Sequence, residues 1–519
     1  MIGNSNLNLE EFQNEQKKLR TKKRIIIISL LVIILIIILI IIFIIIKFTT
    51  KKSIPEQEEK EDEIPEYEVL TEFNLSTFFY FDPVSKEPCN EKNYWTPFDN
   101  STTCYRWISV TYPDKNTSNT IKIMLDHNIV TSSFSEYDER LKNKTSNWSR
   151  YKGIVDIIDE TTIFNLMNYT SKPTKSSKVV PSVIVNPYSS QSFNIYNGKV
   201  INENGYWTKT SYDEDSSFAI DYNGNNEVIP KSSIYGIRPV INIKKSLLNI
   251  DPGVIEITDI IKNSNHMHYD CEENTYDGYK YEVLQGITLS KDKLFFMSSN
   301  SNNPEKGVMY SFKLNDMKNL YKTDYSNTGH GNGMTYNSKT GKVLVLGYYG
   351  VYEYNEDTLE REKEYNRPNY PGYSGIGYDY NEDLYIGRAN HRIFFANTTT
   401  MKKLYEFGIF MFEAAQDLEY YNGYIFDCGS DFGLPNPYQS YSFYPGYEFI
   451  YIYDARFDKN KKPTKNVGRL IARFIIKGFG ELESLSFRDG YVYFGFGKKG
   501  YNFYFIEYEK FINKTGVKL

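Results

Sequence analysis

Five polar residues in the C-terminal half head segments of one pattern. Gln285-Gly286-Ile287-Thr288, Asn332-Gly333-Met334-Thr335, Ser374-Gly375-Ile376-Gly377, Gln416-Asp417-Leu418-Glu419 and Glu483-Ser484-Leu485-Ser486 share the order polar, small or polar, apolar, small or polar. Their first residues lie 47, 42, 42 and 67 apart. A symmetrical fold that turned these heads toward one axis would converge amide, hydroxyl and carboxyl groups, with His330, Asp417 and Glu481 beside them. Converging oxygens could hold a hard cation such as calcium. His330 and Glu483 could act as an acid/base pair. A water-filled polar channel carries the same residues and does neither, and is the commoner outcome.

Other chemistry-bearing residues are sparser. His266-x-His268 places two imidazoles on one face if that stretch is a strand, but a metal site needs further ligands that the sequence does not identify. Asp126-His127 could be a catalytic pair; a turn in which Asp126 and Asn128 bond their own backbone is the simpler reading. Trp107 and Trp207 read as core aromatics, and Arg238, before a proline, as half of a buried ion pair. The chain holds no Gly-x-Ser-x-Gly, no phosphate loop, no HExxH and no CxxC. Binding is therefore favoured over catalysis, and a net charge of −5 argues against a nucleic-acid surface.

To bring five heads together the chain must repeat a structural unit. A second apolar run follows each head: Leu294–Met297, Val343–Leu346, Leu384–Ile386, Tyr424–Phe426 and Tyr491–Phe496. A third follows: Val308–Phe312, Val351–Tyr354, Ile393–Phe395, Phe449–Tyr453 and Phe503–Tyr508. The first four repeats have a fourth: Leu320–Tyr325, Leu359–Tyr365, Leu404–Phe407 and Leu470–Ile476. Four short strands per repeat of about 40–45 residues is a β-propeller signature. Five heads predict a five-bladed propeller over residues 251–519. The fifth repeat ends early, and Gly253–Asp259 can supply its last strand. Six blades is the alternative, if residues 253–284 build one of their own. The stretch His330–Asn337, with Gln285-Gly286 and Glu481-Leu482-Glu483-Ser484, resembles propeller-like bacterial surface proteins, a resemblance that implies no particular reaction.

Upstream, Ile25–Ile46 is 22 residues long and apolar except for Ser29. At about 1.5 Å per residue it matches a bilayer core of about 30 Å. Six basic residues precede it and Lys47, Lys51 and Lys52 follow it. That excess places residues 1–24 in the cytoplasm and everything after the helix outside. The expected location is the plasma membrane or a secretory-pathway membrane. Residues 47–72 read as a stalk, because Ser53–Glu68 carries eight acidic residues and little to bury.

An outer location suits the four cysteines, Cys89, Cys104, Cys271 and Cys428. Of the three possible pairings, the one favoured joins Cys89 to Cys104, the shortest loop, and leaves Cys271–Cys428; four buried thiols are the alternative. Glycosylation acceptors occur at Asn74, Asn100, Asn116, Asn143, Asn147, Asn168, Asn397 and Asn513. Between stalk and repeat, residues 73–248 alternate short strands (Cys104–Val110, Thr120–Leu125, Ile237–Ile243) with a helix over Gly153–Asn168. The succession Tyr105-Arg106-Trp107, Leu125-Asp126-His127-Asn128, Gly205-Tyr206-Trp207-Thr208 and Tyr235-Gly236-Ile237-Arg238 resembles a C-type-lectin-like domain related to formylglycine-generating enzymes. The resemblance implies an α+β display domain; the reactive cysteine pair of those enzymes is absent. The fold expected is mainly β. The function expected is an integral-membrane surface protein that binds a glycan or protein ligand. The alternatives are a tethered propeller hydrolase or lyase and a purely structural surface protein.

Overall fold

Period-two alternation of apolar residues dictates strands along most of the chain, and the computed structural model is mainly β. It describes residues 78–519 except 100, 112–118, 167–204, 222–224, 251, 270–274, 277–278, 301–302, 324–330, 332, 348–349, 367–372, 390–391, 410–413, 432–446 and 498–499. The expected tail, membrane helix and stalk lie outside the described residues, as do Asn74, Asn100, Asn116, Asn168, Cys271, His330 and Asn332. Among the described residues no helix is long and apolar enough to cross a membrane. The described residues all belong to one compact unit, 66–519.

The N-terminal part of that unit holds two sheets. One orders Asn249–Ile250, Phe78–Phe81, Tyr105–Ser109, Thr120–Leu125, Pro239–Lys244 and Asp156–Ile157. The other orders Val130–Ser132, Tyr235–Ile237, Gly205–Ser211, Ser216–Asp221 and Asn226–Pro230. The first sheet is apolar on both faces because both are covered. Phe79, Phe81, Trp107, Ile123 and Ile241 fill one core. Phe78, Ile108, Met124 and Val240 enter another, which they share with Ile386, Phe395, Leu418 and Tyr451 of the repeat. Polar contacts cross the same boundary: Thr96 Oγ1 bonds the Lys465 carbonyl, and Arg106 donates to the Gly408 carbonyl at 3.4 Å.

Two expectations for this part need correction. The helix begins at Glu160, not Gly153, because Asp156–Ile157 is spent pairing with Pro239–Val240. Asp159 starts it, its carboxylate accepting from Thr162 N at 2.7 Å. The last strand also breaks at Arg238, so that Tyr235–Ile237 and Pro239–Lys244 join different sheets.

Beyond residue 280 come five antiparallel sheets whose inner strands are Val283–Leu289, Met334–Asn337, Tyr373–Asp379, Ala414–Tyr421 and Leu482–Arg488. Four of them contain the whole four-residue pattern, and Met334–Asn337 contains its last two residues. These inner strands neighbour one another in chain order, and the fifth neighbours the first, so they form a closed cycle. The third pattern residue fixes the packing. Ile287, Met334, Ile376, Leu418 and Leu485 each enter a different core, one between each pair of neighbouring sheets.

The cycle does not close as expected. Gly253–Asp259 does not finish the fifth sheet: Val254–Glu256 lies parallel to Leu470–Lys477, as an extra outer strand of the fourth. The chain then turns through the short helix Thr258–Lys262, and Asn265–Tyr269 pairs antiparallel with Tyr501–Glu507 to complete the fifth. The described residues of 253–284 therefore serve existing sheets and the two-stranded pair Thr275–Tyr276 and Tyr279–Lys280, and no sixth four-stranded sheet is present among the described residues.

Cys89 and Cys104 are joined, 15 residues apart. Cys428 is not: it is a free thiol buried among Phe426, Ile450 and Phe474, which corrects the expected Cys271–Cys428 staple. Burial pushes its pKa well up, which keeps it a neutral, unreactive thiol.

Candidate functional site

In four of the five inner strands the first pattern residue sits where the strand slips register. Bulges fall between Leu284 and Ile287, Tyr373 and Gly375, Ala415 and Leu418, and Leu482 and Ser484. A bulge re-aims a side chain out of the regular pleat, and here it is Gln285, Ser374, Gln416 or Glu483 each time. Gln285, Gln416 and Glu483 are buried; Ser374 is half-buried.

The second pattern residue lies at the centre of the cycle. Three are glycines: Gly286 lies against Met334, and Gly333 and Gly375 lie against Asp417 and the Leu418 backbone. A Cβ on Gly333 would stand 2.6 Å from Asp417 Oδ1, and one on Gly375 would stand 2.9 Å from Leu418 N. The Asp417 carboxyl accepts from Leu418 N (2.8 Å), Ile376 N (3.3 Å) and Met334 N (3.4 Å), and shares a 2.5 Å bond with Ser484 Oγ. Ser484 Oγ also lies 3.3 Å from the Ile287 carbonyl. One carboxyl and one hydroxyl thus tie together all five inner strands.

Burial pushes the Asp417 pKa up to about 8, against the hydrogen bonds that lower it. The hydroxyl count agrees: Ser484 has a single proton. If it donates to Ile287, the bond to Asp417 must carry the proton of Asp417 itself. Two residues on, Glu419 repeats the device. It accepts from Tyr420 N (3.0 Å), Tyr378 N (3.4 Å) and Thr335 Oγ1 (3.3 Å), and burial followed by the Asp417 charge raises its pKa strongly. At this level the side chains of Asp417, Ser484, Glu419 and Thr335 bond across neighbouring inner strands.

Toward the bulges lies a group of carboxyls. Glu448 accepts from Leu482 N at 2.8 Å and bonds Ser430 Oγ. Gln416 Nε2 bonds Glu481. Glu483, 1% exposed, faces Glu481, a contact that becomes a hydrogen bond only when one of the two is protonated. Burial first, then the Glu481 and Glu448 charges, hold the Glu483 pKa well above the carboxylate range; burial also raises Glu481. Among the described residues neither oxygen of the Glu483 carboxylate meets a donor, and Gln285 Oε1 and Ser374 Oγ are likewise unsatisfied. Leaving such groups unsatisfied costs about 1–3 kcal/mol each.

Of the residues singled out in the sequence, Gln416 joins Glu481 and Glu481 faces Glu483, whereas Asp417 turns to the centre. No group of three or more His, Cys, Asp or Glu side chains among the described residues is arranged to hold a metal ion, so the calcium expectation finds no ligand set there. Sequence reasoning missed Ser484, Glu419, Thr335 and Glu448. The glycine column at the second position could have exposed Ser484, which stands in it with Asp417; Glu419 and Thr335 stand at the fourth position, where only Gly377 is a glycine, and carried no such signal. Glu448 had one signal, a carboxylate in an otherwise apolar strand.

Elsewhere the pairings are structural. Asp126 bridges Arg106 (2.6 Å) and His127 (2.5 Å) in a fully buried triad, with Trp95 stacked on the imidazole at 3.9 Å. Burial opposes the carboxylate, but Arg106 and His127 hold the Asp126 pKa below its usual value. Trp107 and Trp207 are core, donating to the Phe81 and Ser132 carbonyls. Arg238 is buried over Tyr206 and bonds the Leu125 carbonyl. Between the third and fourth sheets Arg388 and Asp427 lie 3.0 Å apart, both fully buried, and burial pushes Asp427 up to about 6. Of the described glycosylation acceptors, Asn143, Asn147 and Asn513 are exposed and Asn397 is half-buried.

No protein-family model and no curated protein matches this chain. Among solved structures it is similar to the glutaminyl cyclase of Myxococcus xanthus, with 11% identity over 46% of this chain and 92% of that one and a TM-score of 0.32. It is also similar to a chain of a nidogen/laminin complex (8%, 44% and 81%, 0.29) and to the RRP9 WD40 repeats (7%, 46% and 99%, 0.27). Likenesses this slight carry no argument about a ligand or reaction. None of them supports the lectin-like resemblance of residues 73–248.

Proposed function

We propose that residues 251–519 form a five-bladed β-propeller, held outside a membrane by the 25–46 segment, and that the bulged end of its axis binds a donor-rich ligand. Hydroxyls of a glycan or amino groups of a protein supply the donors that this end lacks. The closed cycle of five sheets, four of them four-stranded and one five-stranded, supports the fold. One observation carries the binding reading: the carboxyls of Glu448, Glu481 and Glu483 are gathered beside Gln416, and among the described residues no donor reaches either oxygen of the buried Glu483 carboxylate. A ligand donor would relieve that cost, and the Asp417–Ser484 level would form the floor beneath it.

The test is a glycan and peptide array probed with the full-length chain in detergent, followed by titration of any hit. Binding should weaken at least tenfold in Glu483→Ala and several-fold in Gln285→Ala. Equal binding by both variants, or a clean array with folded protein, would remove the reading.

A second reading rests on the Glu481–Glu483 contact, since carboxyls with raised pKa can serve as general acids. It makes the chain a tethered hydrolase or lyase. Turnover of a bound glycan, lost in Glu483→Gln while binding persists, would select it.

A further inference from the structure

We infer that His266 and His268 form, with Asn502, a surface site for a borderline transition-metal ion such as Zn²⁺, clasping the strand that completes the fifth sheet. The register makes the site. His266 lies opposite Tyr504 and His268 opposite Asn502, while Met267 and Tyr269 face Phe503 and Tyr501. The apolar set turns inward to the core between the fifth and first sheets. That leaves both imidazoles exposed on the outer face, with Asn502 and Tyr504 partly so.

The two rings converge on one point. His266 Nε2 lies 3.2 Å and His268 Nδ1 2.9 Å from the same atom, Asn502 Oδ1. Each ring is supported. His266 stacks on Tyr504 at 4.3 Å. His268 lies against Gly500, where a Cβ would come within 2.7 Å of the ring. The ring centroids are 6.4 Å apart. A tetrahedral pair of imidazoles with metal–nitrogen bonds of about 2.0–2.1 Å needs about 5 Å between centroids. Small side-chain rotations at exposed positions close that gap. Asn502 Oδ1 then becomes a third ligand and water the fourth.

Imidazole nitrogen suits zinc, copper or nickel and not calcium or magnesium. The ligands come from strands more than 230 residues apart in the chain, so the unfolded protein cannot hold them together. Metal therefore binds the folded state preferentially and stabilises the closure.

The experiment uses the untagged full-length chain in detergent, titrated with zinc chloride by calorimetry and melted with and without the metal. One zinc per chain and a rise of about 2–3 °C in melting midpoint at a hundredfold excess over Kd are expected. His266→Gln and His268→Gln keep a hydrogen bond to Asn502 available, should weaken zinc at least tenfold each and should abolish the rise. Asn502→Ala should weaken it several-fold, and calcium should produce no rise. No zinc binding to the folded chain, unchanged affinity when His266→Gln and His268→Gln are combined, or an equal response to calcium would each overturn the inference.

Discussion

Replacing Asp417 with asparagine tests whether a protonated carboxyl holds the centre of the cycle. In the folded chain burial places the Asp417 pKa at about 8; in the unfolded chain it returns to about 3.9. Between those values the native state keeps a proton that the unfolded state has released. Stability contributed by this group therefore falls as pH rises from 4 to 8 and is flat above. A pKa raised by about four corresponds to about 5 kcal/mol over the whole window. Asparagine has the same shape and does not titrate. Its oxygen can accept from Leu418 N and Ile376 N, and its amide can donate to Ser484 Oγ, freeing that hydroxyl for the Ile287 carbonyl. The long bond from Met334 N, 3.4 Å, loses its acceptor, at about 1–2 kcal/mol. A folded unit of about 450 residues shifts its midpoint by about 1 °C per kcal/mol, from an unfolding entropy of about 2.1 cal/mol/K per residue. Asp417→Asn should thus melt about 1–2 °C below wild type at pH 4 and about 3–4 °C above it at pH 8.5. Scanning fluorimetry of both proteins across that range measures the difference, which cancels the titration of every other group. Parallel pH profiles, or an Asp417→Asn midpoint several degrees lower throughout, would mean that Asp417 is ionised in place and that the protonated centre is wrong.

Gly333→Ala should lose about 2–3 kcal/mol, because its Cβ meets Asp417 Oδ1 at 2.6 Å and the Ile376 backbone N at 3.0 Å; Gly253→Ala, with nothing within 4 Å, is the neutral control in the same melt. Cys104→Ser should cost about 3 kcal/mol from the 15-residue loop it opens, while free thiol titration of the native wild-type chain should leave Cys428 unreacted until denaturant is added. If the outward orientation of residues 53–519 is right, a glycosidase should shorten the expressed chain on a gel, and Asn143→Gln and Asn147→Gln should each remove part of that shift; full resistance to the enzyme would count against the orientation.

The repeat is readable because each inner strand carries the same constraint at the same four positions. The third residue must be apolar to enter a core between sheets, and the second must be small enough for five strands to meet. What hides the closure is composition. Asn265–Tyr269 reads Asn-His-Met-His-Tyr and half-buries only Met267 and Tyr269, so it carries less strand signal than Val254–Glu256, which is more apolar and looks the better candidate for the role. Register with a strand more than 230 residues away decides such a case, and no local pattern encodes it. The same holds for Arg388 and Asp427, whose pairing depends on two sheets meeting. At the axis, the first pattern residues are recognisable as polar heads, but their bulges are not, since a bulge is a relation between two strands. By residue type alone Asp417 reads as one more ligand-facing acid; Gly333 and Gly375 at its level leave the room it occupies instead.

The extra strand Val254–Glu256 also bears on solubility. Outermost strands expose a row of unpaired backbone groups and invite other chains to add on. In the first three sheets those strands defend themselves with charge: Asp316–Lys322 carries one acidic and two basic residues, Arg361–Asn366 carries two of each, and Lys403–Gly408 one of each. The fourth sheet ends in Leu470–Lys477, with Leu-Ile-Ala, Arg473 and then Phe-Ile-Ile before its last lysine. That edge is the stickiest of the four. Residues 254–256 cap it, held by Ile257 N to the Ile475 carbonyl at 2.9 Å, Arg473 to the Pro252 carbonyl at 2.9 Å and the Glu256–Lys477 ion pair at 2.7 Å. The segment leading into the repeat thus acts as a sheath against self-association, and a fragment cut just after it should precipitate where the intact chain stays dispersed.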